Sequence, residues 1–236
     1  MRIEIRKSFW GVVAMSTLML IQAPLQGYEI LGVGTESLVG GDLTDPENDG
    51  LPEEDTGYNA LFDSNDEPGF GGGEFAFNVF DNVLGGGNDK WCCGKAGGIS
   101  DNEPSWVQAK LSEPFYLTSF TLSSANDVPE RDPSSWALQG SNNGVDFTDI
   151  YVYDDAAGPW TERLQVIKFN GGDDFPTQTE SYDYFRLAVF NTPNNPNGAY
   201  LQLSEIELFG AAVPEPSSLV LMLLGVTGAG LHRRRR

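Results

Sequence analysis

The chain has few of the side chains on which catalysis and transition-metal binding usually depend. Its single histidine, His232, lies in the basic C-terminal tail, so the rest of the chain contains no Ser-His-Asp or Cys-His arrangement and no histidine metal site. Pairs of carboxylates could act as a glycosidase acid and nucleophile, but nothing in the spacing of the acids singles out one pair. The sequence therefore predicts a protein that is not an enzyme, with polysaccharide hydrolysis as the least favoured alternative.

Cysteine is equally scarce. Cys92 and Cys93 are the only two, and because they are adjacent they cannot join distant segments of the chain. A vicinal disulfide, a bond to another chain and two buried thiols all remain open, with the buried or vicinal forms favoured. Two cysteines alone do not make a zinc site.

Basic residues are few: 14 Lys and Arg stand against 34 Asp and Glu. Seven of the bases lie near the two ends, so residues 28–213 keep seven bases and 32 acids. Such a surface repels nucleic acid and anionic lipid and attracts cations, calcium above all. We therefore expect no nucleic-acid partner.

The two ends of the chain carry export signals. Residues 1–27 have basic residues, an apolar run and small residues in the order of a secretory signal peptide. Residues 213–236 begin with Pro214, Glu215 and Pro216, continue in an apolar run from Leu219 to Leu231, and end in four arginines. The prolines block helix extension upstream, and the arginines hold the C-terminus on the cytoplasmic side of a membrane.

This C-terminal order resembles the PEP-CTERM sorting signal of Gram-negative bacteria, with Pro214, Glu215 and Pro216 at the processing site. The resemblance implies membrane attachment through the C-terminal helix, followed by processing by an exosortase. The processed protein would then reside at the cell surface or in the extracellular matrix. An ordinary C-terminal membrane anchor is the alternative, although the apolar run is shorter than the roughly 20 residues of a usual span.

Between these ends the pattern changes once. Residues 28–73 are acidic and turn-rich, and predict an irregular lead-in. From residue 74 to 210, short alternating or β-branched segments are separated by Gly, Pro, Asn and Asp clusters, with no amphipathic helix of normal length. This predicts an all-β jelly-roll β-sandwich in which Trp91, Trp106 and Trp136 belong to the core. The predicted strands are 75–80, 106–111, 115–122, 135–140, 164–169, 184–190 and 201–209.

Several of these segments, in order, resemble the discoidin or coagulation factor five/eight type C domain, a galactose-binding-like β-sandwich. The matching pieces span about 74–210: Asn78-Val79-Phe80-Asp81-Asn82, Asp89-Lys90-Trp91, Trp106-Val107-Gln108-Ala109-Lys110-Leu111, residues 125–133 and 135–144, Tyr184-Phe185-Arg186-Leu187 and Leu203-Ser204-Glu205-Ile206-Glu207-Leu208.

The resemblance implies one structural calcium ion, held by Asp81, Asn82, Asp89 and Glu205. Here Asp89 replaces the family's Thr, and the loop before it is longer and glycine-rich. Separately, Asp45 to Gly50 places acids at alternate positions before a glycine, as EF-hand loops do, so Asp45 and Asp49 are further candidate calcium ligands. An Asx turn at the first place and a solvated acidic turn at the second are the alternatives.

The ligand surface of such modules lies in loops at one end of the sandwich. Residues 126–133 form the best candidate, with Asn126, Asp127 and Arg131 as ligand-binding residues. Trp160 follows a turn and is a candidate platform for a sugar ring, or else packs at the start of a strand. The predicted function is a calcium-stabilised carbohydrate-binding module acting on a polysaccharide or glycan. The alternative is a structural exopolysaccharide or biofilm matrix protein without a defined sugar pocket.

Overall fold

The computed structural model of the protein describes residues 27–45, 58–67, 73–93, 99–100, 102–194 and 200–214. These residues form strands and short 3-10 helices. The strands are β1 (Glu29–Val33), β2 (Ala60–Ser64), β3 (Trp91–Cys92), β4 (Ser105–Ser123), β5 (Ser135–Ser141), β6 (Thr148–Asp154), β7 (Gln165–Asn170), β8 (Tyr182–Asn191), β9 (Gln202–Leu203) and β10 (Glu205–Ala212). The 3-10 helices span Thr35–Ser37, Ala76–Phe80 and Pro129–Arg131.

One long strand builds the sandwich. β4 has 19 residues, and eight strands form a curled antiparallel sheet in the order β1-β7-β4-β8-β5-β6, with β2 and β10 also paired to β4. The first part of β4 pairs with β2 and β8, and its second part pairs with β7 and β10. Because β4 contributes to both layers, it closes them around a common core. β3 and β9 form a separate two-stranded sheet.

Alternation along the strands explains which side chains fill that core. In β4, Val107, Ala109 and Leu111 are buried, as a half-buried strand requires. Aromatic rings occupy the centre: the Phe120 and Phe169 rings stack with centroids 4.7 Å apart. The predicted all-β sandwich is confirmed.

The tryptophans divide between core and sheet surface. Trp91 and Trp136 are 1% and 0% exposed, as predicted. Trp106 is half-buried on the outer face, where the Arg186 guanidinium carbon lies 3.9 Å from its ring centroid. The same guanidinium contacts the Phe147 ring and donates two hydrogen bonds to the Gln108 side-chain oxygen.

Two expectations about local structure differ from the observed fold. Residues 75–80, expected to be a strand, contain a 3-10 helix over Ala76–Phe80, which buries Ala76, Val79 and Phe80 on one side. Residues 28–73, expected to be an irregular lead-in, contribute β1, paired with β7, and β2, paired with β4. β1 and β2 are strands because their backbones pair with strands that are distant in the sequence. Their own composition does not reveal this pairing.

The predicted signal peptide, except for its last residue, lies outside the described residues, as does the sorting segment beyond Pro214. Within the described part of the chain, no helix has the length and apolar character needed to cross a membrane.

Candidate functional site

The candidate ligand loop, residues 126–133, is held from inside the protein by a buried lysine. Lys90, just before β3, has a side chain only 3% exposed, and its Nζ donates to Asn126 Oδ1 and to Asp127 Oδ1, both at 2.8 Å. The Asp127 side chain is 49% exposed, so this ion pair joins the interior to the surface. Burying a charged group is costly unless it is paired and hydrogen-bonded, as Lys90 is here.

Gln202 and Arg163 bind the backbone of the same loop. The Gln202 amide nitrogen donates to the carbonyl oxygens of Asp127 at 3.0 Å and of Val128 at 2.8 Å. Arg163 donates to the Asp127 carbonyl oxygen at 2.9 Å and forms an ion pair with Asp132. Burial raises the pKa of Asp132, and the Arg163 guanidinium opposes that rise. We call Lys90, Asn126, Asp127, Asp132, Arg163 and Gln202 the loop cluster.

Arg131 and Tyr200 lie beside this cluster. Arg131, at the end of the Pro129–Arg131 helix, is half-buried, and its guanidinium lies over the Tyr200 ring, 5.4 Å from the centroid. Tyr200 is 40% exposed. An arginine fork beside an accessible aromatic face offers hydrogen-bond donors and an apolar platform together, the two features that a sugar ring requires.

The structure places the predicted ligand residues unequally. Asn126 and Asp127 share one lysine, and Arg131 belongs to the same loop. The expectation that Trp160 is a sugar platform is wrong, since its side chain packs in the hydrophobic core and is only 8% exposed. Tyr200 supplies the exposed ring instead. Tyr200 and Gln202 have no sequence signal of their own, and Lys90 has one only as part of the Asp89-Lys90-Trp91 segment of the family resemblance.

The two cysteines form a disulfide with each other, which is one of the forms expected from their adjacency. Both are buried, and the Cys93 Sγ lies 3.7 Å from Arg131 Nη1. With Glu74 they form the one group of three acidic or sulfur side chains, among the described residues, whose ligand atoms all lie within 4.8 Å. Because the two sulfurs are bonded to each other, they offer no thiolates to a metal.

A second buried polar cluster contains acids. We call Asp42, Asp81, Asp89, Glu205 and Glu207 the acid cluster. Asp81 and Glu205 are 0% and 1% exposed, and one carboxylate oxygen of each, Asp81 Oδ2 and Glu205 Oε2, has no hydrogen-bond partner. Burial, followed by the charge of Asp89, raises the pKa of Asp81 to about 8. Burial also raises the pKa of Glu205 well above its ordinary value, with further contributions from Asp81, Glu207 and Asp42.

Other residues of the predicted metal site lie around these two carboxylates. Asn82 adopts a positive φ of 60° and donates to Asp45 Oδ2 at 2.8 Å, so Asp45 reaches this site from the N-terminal segment. The Asp89 carboxylate packs closely against Gly85, where there is no space for a Cβ beside Asp89 Oδ2. Asp81, Asp89 and Glu205 are more widely spaced than the group around the disulfide. Asp49 lies outside the described residues.

Asp42 and Glu207 have a different role, because their oxygens already hold the backbone. Glu207 accepts from the backbone nitrogen of Val39 at 3.1 Å and from Thr121 Oγ1 at 2.7 Å. Asp42 accepts from the Leu208 backbone nitrogen at 2.8 Å, and burial raises its pKa to about 6. These two carboxylates fasten the segment before residue 45 to β10.

Comparison with known proteins agrees with the sequence resemblances. A model of the F5/8 type C domain matches residues 63–203, and the PEP-CTERM protein-sorting motif matches residues 212–236. A curated relative, peptide-N(4)-(N-acetyl-beta-glucosaminyl)asparagine amidase of Arabidopsis thaliana, is 29% identical over 106 residues. That alignment covers 44% of this chain and 14% of the amidase, so the chain spans only a small part of that relative.

Two solved structures are similar to this chain. A fucolectin from striped bass (Morone saxatilis) serum superposes with a TM-score of 0.50 and 17% identity, covering 67% of this chain and 49% of that chain. The carbohydrate-binding module CBM32-5 from Clostridium perfringens, solved in complex with GalNAc-β-1,3-galactose, superposes with a TM-score of 0.48 and 16% identity, covering 64% of this chain and 96% of that chain. At such identities the fucolectin likeness shows the fold alone.

Proposed function

The chain belongs to the F5/8 type C domain family, and from that premise we propose that it is an exported surface or matrix protein whose domain binds a carbohydrate without modifying it. The matched sorting motif supports export and processing by an exosortase-type enzyme, with the C-terminal segment holding the protein in the membrane until it is processed. The mature protein would then meet its glycan outside the inner membrane.

The observation that carries the proposal is the rigid loop with Arg131 and Tyr200 at its edge. Lys90, Gln202 and Arg163 fix the loop from the protein side, so little conformational entropy remains to be lost when a ligand binds. The partly exposed Tyr200 ring can stack on the apolar face of a sugar, and Arg131 can donate to its hydroxyl or carboxylate oxygens.

The carboxylates of the loop cluster offer little for catalysis. A glycosidase needs one carboxylic acid and one free carboxylate beside the scissile bond. Asp127 and Asp132, the carboxylates of the loop cluster, are instead paired with Lys90 and Arg163. Carboxylates paired in this way shape the loop and are not free to act on a substrate, which favours binding without turnover.

The second candidate function is a structural matrix protein without a defined sugar pocket, in which acidic groups cross-link polysaccharide through cations. The excess of acids, 34 against 14 bases, supports it. An exposed aromatic ring beside an arginine in a fixed loop favours the carbohydrate-binding module, because a matrix filler has no need of such an arrangement.

We further propose a structural calcium ion at the acid cluster. The fit rests on Asp81 Oδ2 and Glu205 Oε2, two buried carboxylate oxygens without hydrogen-bond partners. Leaving such groups unpaired is costly, and calcium prefers carboxylate and amide oxygens. Asp81 and Glu205 would be direct ligands, with Asp89 and the Asn82 amide oxygen beside them. The ion would join the start of the domain to β10 and neutralise the mutual repulsion of the acids.

A glycan array probed with the purified, calcium-loaded protein tests the proposed function. We expect saturable binding to at least one glycan class, lost in Arg131→Ala and weakened about tenfold in Tyr200→Ala, as the loss of one aromatic contact implies. Lys110→Ala is the matched control, because Lys110 also lies over a tyrosine ring, that of Tyr184, but on the sheet face. Absence of any glycan hit with the folded protein would favour the matrix role.

A further inference from the structure

The disulfide between Cys92 and Cys93 lies beside Arg131, whose orientation matters for the proposed carbohydrate site. It closes at the end of β3, directly after Lys90 and Trp91. The Cys93 sulfur lies 3.7 Å from Arg131 Nη1, so the sulfur and the Tyr200 ring both contact the guanidinium. The bond connects two neighbours in sequence, so it closes no long loop, and the entropic stabilisation expected of a long-range disulfide does not explain it.

We propose that the Cys92–Cys93 disulfide is a positioning element of the carbohydrate site, which holds the Arg131 guanidinium in its binding orientation. This inference rests on the proposed function, since it assigns the disulfide a role at that same site.

The sulfur is itself held firmly. In the small sheet, Cys92 pairs with Gln202, and the Cys92 backbone nitrogen donates to the Glu74 carbonyl oxygen at 3.3 Å. The preceding Trp91 donates through Nε1 to the Asp66 carbonyl oxygen at 2.7 Å. Both cysteines are no more than 2% exposed. The Cys93 sulfur therefore has a nearly fixed position relative to the core.

The same strand pair also positions the rest of the loop. Gln202, the partner of Cys92, binds the carbonyl oxygens of Asp127 and Val128, and Lys90 binds the side chains of Asn126 and Asp127. The β3–β9 pair thus supports the beginning of the loop through Lys90 and Gln202, and its end through Cys93 and Arg131. A bonded pair of sulfurs suits this last contact, because it cannot ionise and cannot rotate away as a free thiol can.

Nuclear magnetic resonance of the Arg131 side chain tests the proposal without any ligand. The Nε–Hε signal of Arg131 is assigned by its loss in Arg131→Ala. In the double variant Cys92→Ser, Cys93→Ser we expect this signal to shift and broaden, because the guanidinium loses its sulfur contact. The signal of Arg186, fixed between Trp106 and Phe147, is the internal control and stays in place. An unchanged Arg131 signal overturns the proposal.

Glycan affinity supplies the second readout. The Cys92→Ser, Cys93→Ser variant should bind the best array glycan about fivefold more weakly than the native protein, in keeping with the loss of one weak polar contact. In an Arg131→Lys background the same serine pair should change affinity less than about twofold, because contacts that act through one residue are not additive. An equal loss in both backgrounds means that the disulfide acts through overall stability, and the proposal is then wrong.

Two results separate the proposals. If the native protein binds no glycan, the proposed function fails, and the Arg131 signal alone decides whether the disulfide positions this side chain. If the serine variant does not fold, as judged by circular dichroism, the native protein reduced by a phosphine replaces it. The phosphine takes up one oxygen from water and leaves two thiols. The Arg131 signal then shifts with reduction or, against the proposal, does not.

Discussion

Two polar clusters contain consecutive residues, Asp89 in the acid cluster and Lys90 in the loop cluster, and they differ in where their counter-charge comes from. The loop cluster contains its own cations: Lys90 pairs with Asp127, and Arg163 pairs with Asp132. The acid cluster, within the part of the chain that the structure describes, receives its electrostatic contributions from other acids. The charges of the loop cluster are paired within the folded chain. The acid cluster has two carboxylate oxygens without hydrogen-bond partners.

This difference separates two ways of using buried charge. A cluster with internal ion pairs gains conformational specificity from groups that the sequence supplies, and it suits a loop that must be rigid before its ligand arrives. A cluster of like charges is costly until a proton or an external cation neutralises it. We therefore expect the loop cluster to be insensitive to calcium and the acid cluster to depend on it.

The largest expected effect is that of calcium on stability. Calcium at about a hundredfold excess over its Kd should raise the free energy of unfolding by about 2.7 kcal/mol relative to chelator-treated protein. For a domain of this size, thermal unfolding should then shift upward by roughly 5 to 10 °C. Asp81→Asn should abolish most of the shift, and Asp127→Asn, in the loop cluster, should leave it intact. A melting temperature unaffected by calcium contradicts the metal proposal.

The next largest effect is expected from removing the internal cation. Lys90→Met leaves Asn126 and Asp127 without their shared donor, and Asp127 is only half-buried, so we expect a loss of about 2 kcal/mol in the free energy of unfolding. Chemical denaturation measures this loss. Lys110→Met, on the sheet face, is the matched control and should change stability by less than about 0.5 kcal/mol. Equal losses in the two variants would mean that the loop cluster has no special role.

A further effect on the acid cluster is expected from pH in the absence of calcium. The pKa of Asp81 is raised from 3.8 to about 8 in the folded protein, so the fold binds a proton that the unfolded chain releases near pH 4. This contribution to stability is fully present below about pH 4 and is lost as the pH rises through about 8. When calcium is chelated, the melting temperature of the native protein should therefore decrease between pH 5 and pH 8. The Asp81→Asn variant should lack this decrease. Calcium should reverse that decrease, since it binds the deprotonated carboxylates.

The smallest effect is expected at the loop backbone. Gln202→Leu removes the donor of the Asp127 and Val128 carbonyl oxygens and should weaken the best glycan about fivefold. Calorimetric titration should show an unchanged calcium affinity in the same variant. A change in calcium affinity would indicate that the two clusters are coupled and are not separate units.

The sequence predicts the fold better than it predicts the site. Alternation in 106–111 and 135–140 identifies strands whose faces differ in burial, and these lie in β4 and β5. The strand expected at 75–80 fails because its apolar residues fit one side of a short 3-10 helix equally well. β1 and β2 are not predicted from the sequence. They are strands because they pair with distant strands, and their composition does not indicate it.

At the candidate site, the sequence points to residues that have a local signal and misses residues that act at a distance. The proline-rich loop with Arg131 is predicted from its own composition. Lys90 and Gln202 are separated by 112 residues in the sequence, and no local pattern reveals that both reach the same loop. The Trp160 expectation fails because a tryptophan after a turn can face either solvent or core, and tertiary packing determines which.

The most direct test of the proposed carbohydrate site is to titrate the best array glycan into isotopically labelled, calcium-loaded protein and to map the chemical shift changes. We predict changes at Arg131, Tyr200 and the loop from 126 to 133, and unchanged signals at Asp81 and Glu205. Changes confined to the acid cluster or to the outer sheet face around Trp106, with none at Arg131 and Tyr200, would contradict this prediction.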